Sequence, residues 1–100
     1  MFLPPIVKRR VEYALHHTAD LRTGRIQADP RWLVCLEEVY SSLPETKRAF
    51  FRDLFIRHLS NDELLYNHFI ERTTLYTWRN EIYYAVAMRA MTCGLIRAVE

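Results

Sequence analysis

The stretch that decides the fold is LSNDELLYNHFIERTTLYTWRNEIY, residues 59–83, which predicts two helices joined by a sharp turn. Ser60 can cap the first helix, and Glu63 can reach back to the Ser60 N–H, which makes a capping box. The second helix begins near Arg72. Its apolar stripe, at steps of three and four residues, consists of Leu75, Trp78, Ile82 and Val86. This spacing predicts an amphipathic helical hairpin.

The opposite face of the second helix is polar. Five of its side chains have the chemistry to contact bases or phosphates: Arg72, Thr73, Tyr76, Thr77 and Asn80. Arginine binds guanine edges through two hydrogen bonds, asparagine pairs with adenine, and hydroxyl groups reach phosphates or bases. A short turn and a polar second helix are typical of a helix-turn-helix motif, whose second helix enters the DNA major groove. Other helical hairpins share this pattern without binding DNA, so a protein-interaction module that does not read DNA remains the alternative.

The same stretch resembles the helix-turn-helix of the RinA/ArpU-type phage late-transcription regulators, which are related to the fourth region of bacterial sigma factors. The matching positions are Leu59-Ser60, Leu64-Leu65, Ile70, Arg72, Thr74-Leu75, Tyr76 and Trp78-Arg79. Leu43-Pro44-Glu45 resembles the opening of the preceding helix in sigma-like domains, and Gly94-Leu95-Ile96 resembles the end of the last one. The resemblance covers about residues 42–96. It implies binding to double-stranded DNA, regulation of transcription in a phage or prophage, and contact with RNA polymerase.

Three positions depart from the family pattern. Leu65 stands where a small residue is usual, and Phe69 stands where the turn usually has Gly. A positive φ strains a Phe, so we expect a turn that is wider or built differently. Glu71 replaces the usual Ser before the second helix; a carboxylate suits a helix N-terminus but repels phosphate.

The composition predicts one all-α domain. Half of the 100 residues are apolar, Gly and Pro are few, and strand-type alternation is nearly absent. We expect five helices, with residues 1–41 forming an N-terminal helical pair and residues 42–96 forming the sigma-like part with an extended last helix. A net charge of +2 neither supports nor excludes DNA binding. With no Gly-rich phosphate loop, nucleophile elbow or paired carboxylates, we predict that the protein is not an enzyme and needs no cofactor.

The first half of the chain predicts two helices. Pro4-Pro5 start the first, which runs to about Leu21 and stops at Gly24 in the left-handed conformation. Asp29-Pro30 open the second, with Asp as the N-cap and Pro as the first helical residue, and it runs to about Tyr40.

A third helix follows, for which Ser42 and Glu45 predict a second capping box. Its buried stripe consists of Phe50, Phe51, Leu54 and Phe55. Lys47 and Arg48 lie on its outer side, and we predict that they contact the DNA backbone together with Arg79 of the last helix. The alternative for these cations is ordinary surface charge.

The distal half of the last helix predicts a second apolar face, formed by Tyr83, Tyr84, Ala87, Met88 and Met91. A helix that is apolar on two faces must bury both. Either the first helix of the same chain or a second copy of the chain can cover this face. We predict a homodimer, because two copies would also match the two half-sites that such regulators use.

Cys35 and Cys93 lack CxxC spacing and have no His nearby at metal-ligand spacing. We therefore expect two free, buried thiols and no metal. The sequence has no signal-peptide pattern and no apolar stretch of membrane-spanning length, so we expect a cytoplasmic protein of the bacterial host cell, without a membrane partner.

Overall fold

Helices form all the regular structure that the computed structural model describes, which is residues 3–96. The six α-helices are α1 (Pro5–His16), α2 (Thr18–Thr23), α3 (Arg31–Ser42), α4 (Glu45–Phe51), α5 (Asn61–His68) and α6 (Arg72–Thr92). A π-helical turn, Arg52–Ile56, continues α4. The all-α prediction is confirmed, but the number of helices differs by one. The terminal residues of the predicted 1–100 domain lie outside the described range.

The extra helix arises because the predicted first helix is divided at His17, whose φ of −112° and ψ of 22° are not helical. The His17 Nδ1 lies 2.7 Å from the Tyr13 carbonyl oxygen, and the two rings stack with centroids 4.1 Å apart. The His17 side chain thus shares the Tyr13 carbonyl oxygen with a backbone N–H of the helix. The short α2 then ends at Gly24, which has a φ of 77° as predicted.

The two predicted caps in the first half of the chain both differ from the structure. Asp29 accepts a hydrogen bond from the Arg31 backbone N–H at 3.0 Å, but Pro30 is the N-cap residue and α3 begins one residue later than predicted, at Arg31. The capping box at Ser42 is wrong, because Ser42 is the last residue of α3 and its hydroxyl donates to the Val39 carbonyl. Pro44 disfavours the helical conformation at Leu43, so the boundary falls after Ser42 rather than at it.

The core lies where α1, α3, the α4 segment and α6 meet. The aromatic stripe that the sequence predicts is buried: Phe50, Phe51 and Phe55 are at most 1% exposed, and Leu54 is 7% exposed. Burial of each such side chain contributes roughly 1.5–3 kcal/mol. From α6, the buried side chains include Leu75, Ile82 and Val86, which confirms most of its predicted stripe.

The helix α6 organises the molecule. Its 21 residues span about 31 Å, close to the longest dimension of the chain, 37 Å. Its C-terminal half packs against α1 and α3, and Arg89 pairs with Glu38 of α3 at 3.1 Å. Its N-terminal half projects from this core and is supported by α5. Among residues 3–96, no helix is both long and apolar enough to span a membrane.

Candidate nucleic-acid interface

The capping box at the start of α5 is present as predicted. The Ser60 hydroxyl accepts from the Glu63 backbone N–H at 3.2 Å, and the Glu63 carboxylate accepts from the Ser60 N–H at 2.9 Å. These bonds lower the pKa of Glu63. The helix covers Asn61–His68, and its Leu64 is fully buried. The start of the hairpin is therefore fixed by local side-chain chemistry.

The turn between α5 and α6 is tight, which corrects the expectation of a wider one. Phe69 takes the left-handed conformation, with φ 52° and ψ 46°. Its N–H and that of Ile70 both bond to the Leu65 carbonyl, so only residues 69–71 separate the helices. The Phe69 side chain is 92% exposed and meets no neighbour that would oppose this backbone. A non-Gly residue pays about 1–2 kcal/mol for the left-handed conformation, and the two hydrogen bonds help to offset it.

The five predicted base-contacting residues share one solvent face in the first three turns of α6. The exposed members are Arg72, Thr73, Tyr76, Thr77 and Asn80. Interaction with the Tyr76 hydroxyl raises the pKa of Arg72, so its guanidinium stays charged. The Thr77 hydroxyl donates to the Thr73 carbonyl at 2.9 Å, which leaves its oxygen free to accept from another group. Beneath this face, Leu75 is fully buried and anchors the helix end.

The cations predicted to hold the DNA backbone on α4 are engaged within the chain. The Lys47 ammonium lies 2.8 Å from the Glu81 carboxylate, and Arg48 lies 3.0 Å from Glu45. Both are partly buried rather than free on an outer face. Exposed ion pairs of this kind contribute roughly 0–1 kcal/mol, so exchange of the partner carboxylate for a phosphate costs little.

The third predicted backbone contact, Arg79, packs along its own helix. Its guanidinium carbon is 5.0 Å from the Tyr76 ring centroid and 5.9 Å from that of Tyr83, three and four residues away on the helix. Its Nε is buried without a hydrogen-bond partner. Cation–π contact with the two rings therefore holds Arg79 against the protein. This placement differs from the predicted outward one.

The predicted dimer face is corrected in part. Tyr83 is 3% exposed and Ala87 is fully buried, because α1 and α3 pack on this side of α6. Burial raises the pKa of Tyr83, so its hydroxyl stays protonated. Met88 is 44% exposed, and Tyr84 and Met91 are partly buried. The chain itself covers most of the face that we expected a second copy to cover.

The charge around the hairpin is acidic. Residues 60–81 contain two arginines against four carboxylates: Asp62, Glu63, Glu71 and Glu81. Arg72 lies 3.8 Å from Asp62. The basic run Lys8–Arg10 lies on α1, outside the hairpin.

Sequence reasoning missed two features. Tyr66 is 78% exposed, so with Phe69 it forms an exposed aromatic pair on the hairpin. Cys93 is exposed rather than buried, and its Sγ lies 3.5 Å from that of Cys35. The presence of Phe69 where the family pattern has Gly could have indicated the exposed aromatic residues. No sequence pattern could have indicated the contact between Cys35 and Cys93, because it joins residues far apart in the chain.

Comparisons of the chain with protein-family models, with curated proteins and with solved structures find no match. Among residues 3–96, no group of three or more His, Cys, Asp or Glu side chains lies close enough to hold a metal ion.

Proposed function

We propose that this protein is a sequence-specific, double-stranded-DNA-binding transcriptional regulator of phage or prophage type. It inserts the N-terminal half of α6 into the major groove. The observation that carries the proposal is the exposed polar face of that helix end, held in place by a capped helix and a three-residue turn. This is the arrangement that a helix-turn-helix uses. The sequence resemblance over residues 42–96 supports the same assignment.

The polar face has the reach to read a short sequence. Arg72 and Asn80 are eight residues apart, about 12 Å along the helix, which matches three to four base-pair steps of 3.4 Å. Arg72 is suited to the O6 and N7 atoms of a guanine, and Asn80 to the N6 and N7 atoms of an adenine. Hydroxyl groups on the same face complete the contacts to phosphates or bases.

The salt dependence of binding should be shallow for a DNA-binding protein. Lys47 and Arg48 are the two cations that we assign to phosphates, and both must first leave their carboxylate partners. Each neutralised phosphate contributes about −0.9 to the slope of log K against log salt, so the slope should be no steeper than about −2. Affinity and specificity then depend mainly on base contacts.

The second candidate is an all-helical protein-interaction module with the same surface. The exposed Tyr66 and Phe69 favour it, since aromatic residues are enriched in protein interfaces. The four carboxylates of residues 60–81 also repel a DNA backbone. A basic surface of RNA polymerase is a partner of suitable chemistry. An interface of this kind responds to salt through charge pairs rather than through release of condensed counterions.

Binding of the full chain to fragments of its own genomic neighbourhood, at two salt concentrations, tests the proposal. Wild type should prefer one fragment over competitor DNA. Arg72→Ala should weaken that binding by about 5- to 150-fold, the equivalent of 1–3 kcal/mol. The control is Arg25→Ala, which removes an exposed arginine from the α2–α3 loop and should change affinity less than twofold. Equal binding to every fragment, or equal loss in both variants, would refute base reading by α6.

A further inference from the structure

We propose that Cys35 and Cys93 form a reversible intramolecular disulfide when a hydroperoxide oxidises the exposed thiol, which makes the junction of α3 and α6 a redox modification site. The two sulfur atoms are 3.5 Å apart although 58 residues separate them in the chain. This inference is independent of DNA binding.

The two thiols are positioned for a bond. A disulfide needs an S–S distance near 2.05 Å, so the sulfur atoms must approach by about 1.5 Å. Cys93 is the residue at which α6 ends, with φ −93° and ψ 6°, and Gly94 follows with φ 82°. The Cys93 N–H keeps its bond to the Arg89 carbonyl, but the dihedral angles of Cys93 and Gly94 are no longer helical, so the approach of the sulfur atoms needs an adjustment at the helix end.

The two thiols have different roles because their surroundings differ. Cys35 is 3% exposed, and burial raises its pKa to about 12, so it stays protonated at neutral pH. Cys93 is exposed and is the sulfur that an oxidant reaches first. Arg31 donates to the Cys93 carbonyl oxygen at 2.7 Å and interacts electrostatically with both thiols.

An open groove gives the oxidant access. It lies between α3 and α6 and has a volume of about 630 Å³. Val34 and Met88 form part of its walls, and both cysteines line it. A molecule as small as hydrogen peroxide can therefore reach the Cys93 sulfur from solvent.

The chemistry balances in two steps. The Cys93 thiolate attacks one oxygen of the hydroperoxide and breaks the O–O bond, giving a sulfenic acid and a hydroxide or alkoxide that takes up a proton. The Cys35 sulfur then attacks the Cys93 sulfur, and the S–O bond breaks. The departing hydroxyl leaves as water with the Cys35 proton. The two sulfurs lose two electrons in total, and the hydroperoxide gains them. A dithiol reductant reverses the modification.

The bond would fasten the end of α6 to α3 and close a ring of 58 residues. A closed ring of that size lowers the entropy of the unfolded chain, so the oxidised protein should melt roughly 10–20 °C higher than the reduced one. The polar face at Arg72 lies about 30 Å away along α6 and should keep its exposure.

The test is peroxide treatment of the purified, reduced full chain, followed by intact mass, peptide mapping and thermal melting. Wild type should lose about 2 Da, the mass of two hydrogens, yield a Cys35–Cys93 cross-linked peptide, and melt higher until dithiothreitol is added. Cys35→Ser should stop at a sulfenic acid on Cys93 that dimedone traps. Cys93→Ser should show no 2 Da loss and no oxygen on the Cys35 peptide under the same dose, because Cys35 is buried.

If Cys35→Ser does not fold, Cys35→Ala replaces it as the second variant. The mass of the oxidised wild type is then the deciding measurement. The proposal is overturned if peroxide leaves two titratable thiols in the wild type, if it produces cross-linked dimers instead of the 2 Da loss, or if Cys35 in Cys93→Ser oxidises as fast as Cys93 in Cys35→Ser.

Discussion

The two halves of α6 belong to one continuous helix but have opposite surroundings. Between residues 72 and 81, Leu75 is the single buried side chain. Between residues 82 and 92 the buried side chains are Ile82, Tyr83, Val86, Ala87 and Ala90. The C-terminal half is covered by α1 and α3, whereas α5 supports the N-terminal half and leaves its polar face open.

This difference shows how one helix can serve both the core and a binding surface. The apolar residues of the C-terminal half surround the helix on two sides, and the chain supplies two helices of its own to cover them. The polar residues of the N-terminal half gain nothing from burial, so they remain available to a partner. A surface that the core holds rigid at one end loses little conformational freedom on binding.

The largest expected effect comes from placing a charge in the covered half. Ala87→Asp buries an unpaired carboxylate at a fully buried position and should lower the free energy of unfolding by about 4 kcal/mol or more. The neighbouring exposed position gives the control: Met88→Asp should change the free energy of unfolding by less than about 1 kcal/mol. Urea denaturation measures both. Similar values for the two variants would mean that Ala87 faces solvent, as the predicted dimer face required.

An intermediate effect is expected at the helix that supports the open half. Ser60→Ala removes the N-cap hydroxyl of α5 and should destabilise the protein by about 1 kcal/mol. Ser42 heads the same Ser-x-x-Glu pattern but donates inside α3, so Ser42→Ala should cost less than about 0.5 kcal/mol. Thermal melting of the two variants compares them directly. Equal destabilisation by Ser60→Ala and Ser42→Ala would mean that Ser42 also caps a helix, as the predicted second capping box required.

The smallest effect is expected at the turn itself, and its sign is opposite. Phe69→Gly should raise stability by roughly 0.5–1 kcal/mol, because Gly adopts the left-handed conformation without steric cost. Phe69→Ala keeps the backbone cost and should not share the gain. If Phe69→Gly is stabilising yet weakens partner binding, the exposed ring has a binding role. If it destabilises, then the φ of 52° is not the native one.

Local signals predicted most of the hairpin. The capping box at Ser60, the bounds of α5 and the burial of Leu75 all follow from residues within four positions of one another. The left-handed Gly24 is equally local. The failure at Ser42 was also local: the effect of Pro44 on Leu43 outweighed the capping pattern.

Tertiary contacts caused the remaining errors. Which apolar face of α6 is covered, and by which helix, depends on the packing of α1 and α3, which periodicity does not reveal. The contact between Cys35 and Cys93 depends on the same packing. The five exposed residues of α6 were predicted correctly as a face, because helical spacing alone places them together.

The most direct test of base reading by α6 is selection of binding sites from a random duplex library, with wild type and Asn80→Ala in parallel. The account predicts that wild type enriches a short motif and that Asn80→Ala loses the preference at one base pair, with the flanking positions unchanged. Lys47→Ala should weaken binding evenly and keep the motif. The account is contradicted if wild type enriches no sequence, or if Asn80→Ala enriches the unchanged wild-type motif.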